Sequence, residues 1–415
     1  MRAGVGGGAG PVPADRRAGT ARLRRPGMSA PEPARPAAGP TAQAEAGRAR
    51  PARRYADWRF LAPPVAVVVL AASWGRDLPV LPLALVAVVL GVAVLAAVHH
   101  AEVVAHRVGE PLGSLLLAVA VTVIEVGLIV TLMIAGGPGT ASLARDTVFA
   151  AVMITCNGIL GLSLFVGAVR YRLAVFNAEG TGAALATVAT LAVVCLVLPT
   201  FTTARSGPEF SPTQLSFAAV ASVSLYAAFV STQTVRHRDF FLPVTSQGVV
   251  VNDADGDDHA DPPTNRAAGT SLVLLLVALV AVVGLAKVLS PAIEDTVARV
   301  SLPHSFVGVV IALLVLLPET LAAANAARSN RIQVSLNLAL GSAMASIGLT
   351  IPAIAIATIW LPGPLSLGLG ATQIVLLAIT VVVATLTVVP GRATRLQGLV
   401  HLILLGAFLL LAAHP

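Results

Sequence analysis

Residues Val121–Val130 read VTVIEVGLIV, and Glu125 is the one charged side chain in the run. The surrounding stretch 112–135, LGSLLLAVAVTVIEVGLIVTLMIA, contains no other Asp, Glu, Lys or Arg. As a helix rising about 1.5 Å per residue it is long enough to cross a hydrocarbon core roughly 30 Å thick. An acid at that depth has no water to stabilise its charge, so it must face a bundle interior or a polar cavity, and such residues mark ion or proton pathways. The stretch therefore predicts a membrane span with a functional carboxylate at its middle.

The rest of the chain has the same character. Of its 415 residues 56% are hydrophobic and 11% charged, about half the charged share of a soluble domain, and mean hydropathy is +0.86. The apolar residues fall into eleven blocks, 58–75, 79–98, 112–135, 146–169, 183–200, 214–235, 269–290, 304–326, 332–359, 365–388 and 396–413. The predicted fold class is an all-α polytopic membrane protein of about eleven transmembrane helices. Residues 1–57 carry 11 arginines in a Pro/Ala/Gly-rich segment with few large aliphatics, which predicts a disordered basic tail and no signal peptide. Met28 offers a second place for translation to begin. The net charge of +7 comes largely from that tail, so a nucleic-acid partner is not expected.

Arginine placement sets the orientation. With the N-terminus in the cytoplasm, the inner loops hold Arg107, Arg170, Arg172, Arg236, Arg238, Arg266, Arg328, Arg331, Arg392 and Arg395, against Arg76, Arg145, Arg205 and Arg299 outside. That bias follows the positive-inside rule and puts the C-terminus outside. The only lysine, Lys287, can snorkel near the outer end of the seventh helix. Cys156 and Cys195 lie within apolar spans and read as small core residues. The loop 236–268 splits the chain in two and contains NDADGDDHAD (252–261). Gly256 comes too early for an EF-hand and no closing glutamate follows, so this is expected to be a solvated cytoplasmic linker. His99, His100, Glu102, His106 and Glu110 are expected in a solvated inner loop, with a cytoplasmic proton or cation funnel as the alternative, Glu294, Asp295 and His304 in outer loops, and Asp146 in an interfacial pair with Arg145 or an N-terminal cap.

Glu125 has a counterpart. LLLAVAVTVIEV (115–126) aligns without a gap over VVIALLVLLPET (309–320), matching Glu125 with Glu319. The next helices match as ILGLSL (159–164) over SIGLTI (346–351). Without the first helix, two sets of five remain, spanning 79–235 and 269–415, and each glutamate lies in the second helix of its set. Five is odd, so the sets enter the membrane in opposite directions. Such inverted-topology repeats place a substrate site at the midplane. Two buried carboxylates can hold protons near neutral pH, because burial and mutual repulsion disfavour the charged forms, or release them to a cation. A hard divalent cation suits two carboxylates with neutral oxygens. Candidate neutral donors are Thr155, Asn157 and Ser163, with Ser335, Asn337, Ser342, Ser346 and Thr350; Pro318 frees a backbone carbonyl one turn before the break it causes.

The segments around Glu125 and Glu319, with LARDTVFAAVMI (143–154), NGILGL (157–162) and LNLALGSAMASIGLTIP (336–352), resemble those of bacterial calcium/proton antiporters of the cation/calcium exchanger superfamily. The resemblance runs from about residue 58 onward. It implies one extra helix before the two inverted repeats, a bacterial cytoplasmic-membrane location, no cofactor, and Ca2+ and H+ as the transported substrates. It also implies that Glu125 and Glu319 form the metal and proton site, with Asn157, Asn337 and Ser342 as further cation ligands. Vacuolar relatives carry Gly-Asn before each acid where this chain has Val-Ile and Leu-Pro, so a Na+ or K+/proton antiporter is the alternative. An enzyme is not expected: the spans hold no Ser/His dyad, HExxH or aspartate pair. A passive channel fits the inverted halves less well.

Overall fold

The breaks between helices fall where Gly, Pro and charge interrupt the apolar blocks; each of the eleven predicted segments overlaps a helical element, and the segment predicted from 365 becomes helical only at Ala371. The computed structural model describes residues 57–109, 112–136, 139–245, 263–361 and 363–415. The basic tail to residue 56, Glu110 and the acidic 252–261 run lie outside the described residues. The elements are α1 (Trp58–Ser73), α2 (Val80–Val108), α3 (Leu112–Ala135), α4 (Leu143–Met153), α5 (Leu160–Tyr171), α6 (Ala178–Ala192), α7 (Leu198–Phe201), α8 (Pro212–Ser231), α9 (Asn265–Arg299), α10 (Ser305–Val315), α11 (Leu317–Arg328), α12 (Ile332–Ala357), α13 (Ala371–Val388) and α14 (Arg395–Ala413). Nine spans among the described residues are long and apolar enough to cross a membrane, ten with the α10–α11 pair counted as one. The 16-residue α1 is shorter.

Among the described residues three spans carry a π-helical turn. A π-helical turn, Ile154–Ile159, joins α4 to α5, a second, Val193–Val197, joins α6 to α7, and a third, Thr232–Arg236, ends the α8 span. The predicted eighth helix is broken: α10 and α11 meet at Leu316 with a 52° bend. Pro318 explains the break, since it lacks the N–H that would bond the carbonyl of Leu314.

Two expectations need correcting. α2 runs ten residues past its predicted end, to Val108, because nothing from His99 onward stops a helix before Gly109. His100 is fully buried on it, not solvated. Its Nε2 bonds the Arg59 carbonyl at 3.0 Å and its Nδ1 bonds Ser271 Oγ at 3.3 Å, tying α1, α2 and α9 together. Likewise α9 continues to Arg299, so Glu294 and Asp295 lie on a helix, with Ser290 Oγ donating to Glu294 at 3.3 Å. The expected Arg145–Asp146 pair is present at 2.8 Å. Lys287 lies 5.3 Å from the Trp74 ring centroid, a cation–π contact at the end of α1.

The described residues from 57 onward form one compact unit, and its halves interleave. One apolar cluster draws mainly on α1, α2, α3, α9 and α10, the other on α4, α5, α6, α8 and α11–α14 with parts of α3 and α10. α14 packs on α5 as α8 packs on α12, and α10 packs on α4 as α3 packs on α12. At these crossings Gly161 lies under His401 of α14 and Gly348 under Tyr226 of α8, where a Cβ would come within 2.7 Å and 2.9 Å of those side chains. Small residues let membrane helices approach this closely. Short backbone pairings follow the same exchange. Ala174–Val175, after α5, pairs antiparallel with Arg392–Ala393, before α14; Glu209, before α8, bridges Ser366, after α12.

Candidate functional site

Glu125 stands mid-way along α3 and is 3% exposed. The facing helix, α12, supplies its partners. Ser346 Oγ donates to Glu125 Oε1 at 2.6 Å and Thr350 Oγ1 donates to Oε2 at 3.1 Å. The two hydroxyls are four residues apart and therefore share one face of α12. Hydrogen bonds of this kind to an ionised acceptor are worth about 1.5–3 kcal/mol each. Beside them lies a cavity lined by Thr122, Glu125, Leu316, Ser342 and Ser346 among apolar neighbours. It leaves about 10 Å³ for the centre of a water-sized sphere, on the order of one water molecule. Leu316 brings the α10–α11 break to the wall of that cavity.

Glu319 follows the break immediately, in the first turn of the 12-residue α11. The positive end of a half-helix inside a membrane favours anionic groups there. One carboxylate oxygen, Oε2, is buried without a hydrogen-bond partner in the structure, and Glu319 lies within electrostatic reach of Glu125 and of Glu102 on α2. The two acids are thus supported unequally, and the matched segments explain why. The residues that align with Ser346 and Thr350 are Ile159 and Ser163. Isoleucine has no hydroxyl. Ser163 Oγ is already used: it lies 2.6 Å from the Ile159 carbonyl and against Ser335 Oγ, which lies 2.9 Å from the Ala323 carbonyl of α11, so the two hydroxyl protons are shared among these three contacts.

The remaining sequence candidates divide. Ser342 lines the cavity with Glu125. Asn337 does not join it: its amide donates to the Phe241 carbonyl at 2.8 Å and its Oδ1 accepts from Gln333 at 2.9 Å. Asn157, on the π turn, donates to Thr380 Oγ1 at 2.9 Å and meets His401 Nδ1 at 3.1 Å, while His401 Nε2 meets Thr387 Oγ1 at 3.2 Å. These groups form a separate buried polar network between α5, α13 and α14. Thr155 turns back to the carbonyls of Ala151 and Val152. The hydroxyl stripe of α12 was visible in the sequence; that Ser346 and Thr350 in particular hold Glu125 was not. We expect Ser346→Ala and Thr350→Ala each to lower exchange roughly tenfold by removing one charge-assisted bond, read as initial rates in proteoliposomes. Unchanged rates in both would exclude these hydroxyls from the site.

The fold is that of a helical, polytopic membrane protein with Glu125 and Glu319 on its spans. The chain belongs to the sodium/calcium exchanger protein family, whose model matches residues 78–235 and 270–413. It is 45% identical over 368 residues to y4hA of Sinorhizobium fredii, covering 86% of this chain and 96% of that protein. It is 32% identical over 362 residues to the sodium-potassium/proton antiporter ChaA of Escherichia coli, with the same coverages. Among solved structures, native YfkE aligns with a TM-score of 0.63 over 85% of this chain and 97% of its own, at 16% identity, a likeness of fold.

Proposed function

We propose that the protein exports Ca2+ in exchange for protons by alternating access, with Glu125 and Glu319 as the shared metal and proton site. The observation that carries this reading is the pairing of a hydroxyl-held carboxylate on α3 with one, just after the α10–α11 break, whose buried oxygen has no partner. A divalent ion can displace one proton from each acid, so the charge of the site is the same whether it holds two protons or the metal. Ser342, Ser346 and Thr350 offer the neutral oxygens that a hard cation takes alongside carboxylates. Inverted repeats support the alternating step. Exchanging the two halves maps the α5–α14 crossing onto α12–α8, Gly161 onto Gly348, and one loop pairing onto the other. We place the N-terminus in the cytoplasm of a bacterial cell, on the arginine distribution.

The sodium-potassium/proton antiport of ChaA favours a second reading, Na+ or K+ exchange at the same acids. Cation-induced proton release in everted vesicles, with Ca2+, Na+ and K+ added separately, decides between them. Ca2+ is expected to give the largest release. No Ca2+ response with a clear Na+ or K+ response would replace the first reading with the second.

A further inference from the structure

Glu102 has no role in the exchange described so far. It lies two turns before the C-terminal end of α2, with its side chain 49% exposed and Oε2 3.9 Å from His99 Nδ1. Among the described residues, the other charged or titratable groups that act on it include His106 on its own helix and Arg59 on α1. α2 packs against both α10 and α11, the two pieces that meet at the break before Glu319. Glu319 in turn is within electrostatic reach of Glu102 on one side and of Glu125 on the other, and its buried Oε2 has no hydrogen-bond partner. The three carboxylates therefore form a series, from half-exposed through the unpartnered one to the fully enclosed one.

We propose that Glu102 is the outer carboxylate of the access path at the C-terminal end of α2, collecting a hydrated cation or a proton there and passing it to Glu319. A half-exposed charge works by raising the local concentration of counter-ions, an effect that salt screens. Glu102 is thus a positioning residue for the ion; Glu125 and Glu319 remain the transport site, so the inference rests on the reading given above.

The test is Glu102→Gln in proteoliposomes, with Ca2+, Na+ and K+ as separate probes offered from each face in turn. The expected result is a KM about three- to fivefold higher from the α2 C-terminal face at low salt, with the maximal rate and the opposite-face KM nearly unchanged. Glu102→Asp should restore most of the loss, and raising ionic strength should shrink the difference between Glu102→Gln and wild type. An unchanged KM from that face, an equal change from both faces, or a loss that Asp does not restore would overturn the proposal. The transport site is tested apart, through Glu125→Gln and Glu319→Gln. Exchange surviving in those variants removes the underlying reading, whatever Glu102→Gln shows, and a wild type without exchange overturns both.

Discussion

Glu125→Gln is expected to abolish cation-driven proton exchange while leaving insertion and folding intact. Gln keeps the shape: its carbonyl oxygen can still accept from one of the two hydroxyls that hold the carboxylate, and its NH2 can donate to the oxygen of the other, so α3 and α12 stay together. What it loses is the charge that balances a bound cation and the proton it could release. Removing one member of a buried charge pair costs roughly 3–5 kcal/mol, at least two orders of magnitude in occupancy. Glu319→Gln should be as damaging to transport for the same reason. It should be gentler on stability, because the oxygen it alters at Oε2 has no hydrogen bond to lose. Proton flux in proteoliposomes and thermal unfolding of the purified protein separate the two effects. Wild-type flux from either variant would remove that residue from the site.

The second large effect falls on folding. A Cβ at Gly398 would lie 2.5 Å from the backbone nitrogen of Phe165 and 2.7 Å from its Cα, and one at Gly161 would lie 2.7 Å from the Cβ of His401. These contacts are with backbone or with the root of a side chain, so rotamer changes cannot relieve them. Gly398→Val must push α14 away from α5. Overpacking of this kind costs about 1–3 kcal/mol and occasionally more. The displacement would also stretch the Asn157–His401 hydrogen bond one turn away. We expect a lowered melting temperature and loss of monodispersity in detergent, with Gly161→Leu behaving alike. A Gly398→Val protein that melts with wild type would show that the two helices can separate without cost.

How far the site could be read in advance follows from the kind of information each residue carries. Glu125 and Glu319 stand out as lone charges in apolar runs, because the cost of burying charge applies wherever the helix packs. The break at Leu316 follows from Pro318, a local property of the chain. The ligand set was harder. Asn157, Asn337 and Ser342 were chosen for chemistry and depth, and only Ser342 lines the cavity. Helix spacing groups Ser335, Ser342, Ser346 and Thr350 on α12 without saying which neighbour each meets. In the structure Ser335 serves α11 and Ser346 and Thr350 serve α3. His100 and His401 were missed as structural ties for the same reason: each is satisfied by groups more than ten residues away.

The sequence by itself determined that this chain crosses a membrane many times, that two acids sit deep within it, and that the segments around them match. Those properties depend on the length of apolar runs and the desolvation of charge, which are set along one dimension. Only the tertiary structure decided that one acid is held by two hydroxyls and the other, among the described residues, by none. That difference depends on how each helix is rotated about its axis and on which neighbour lies against it. Ile159 and Ser163 occupy the positions that Ser346 and Thr350 fill in the other half, and one carries no hydroxyl while the other is already bonded elsewhere.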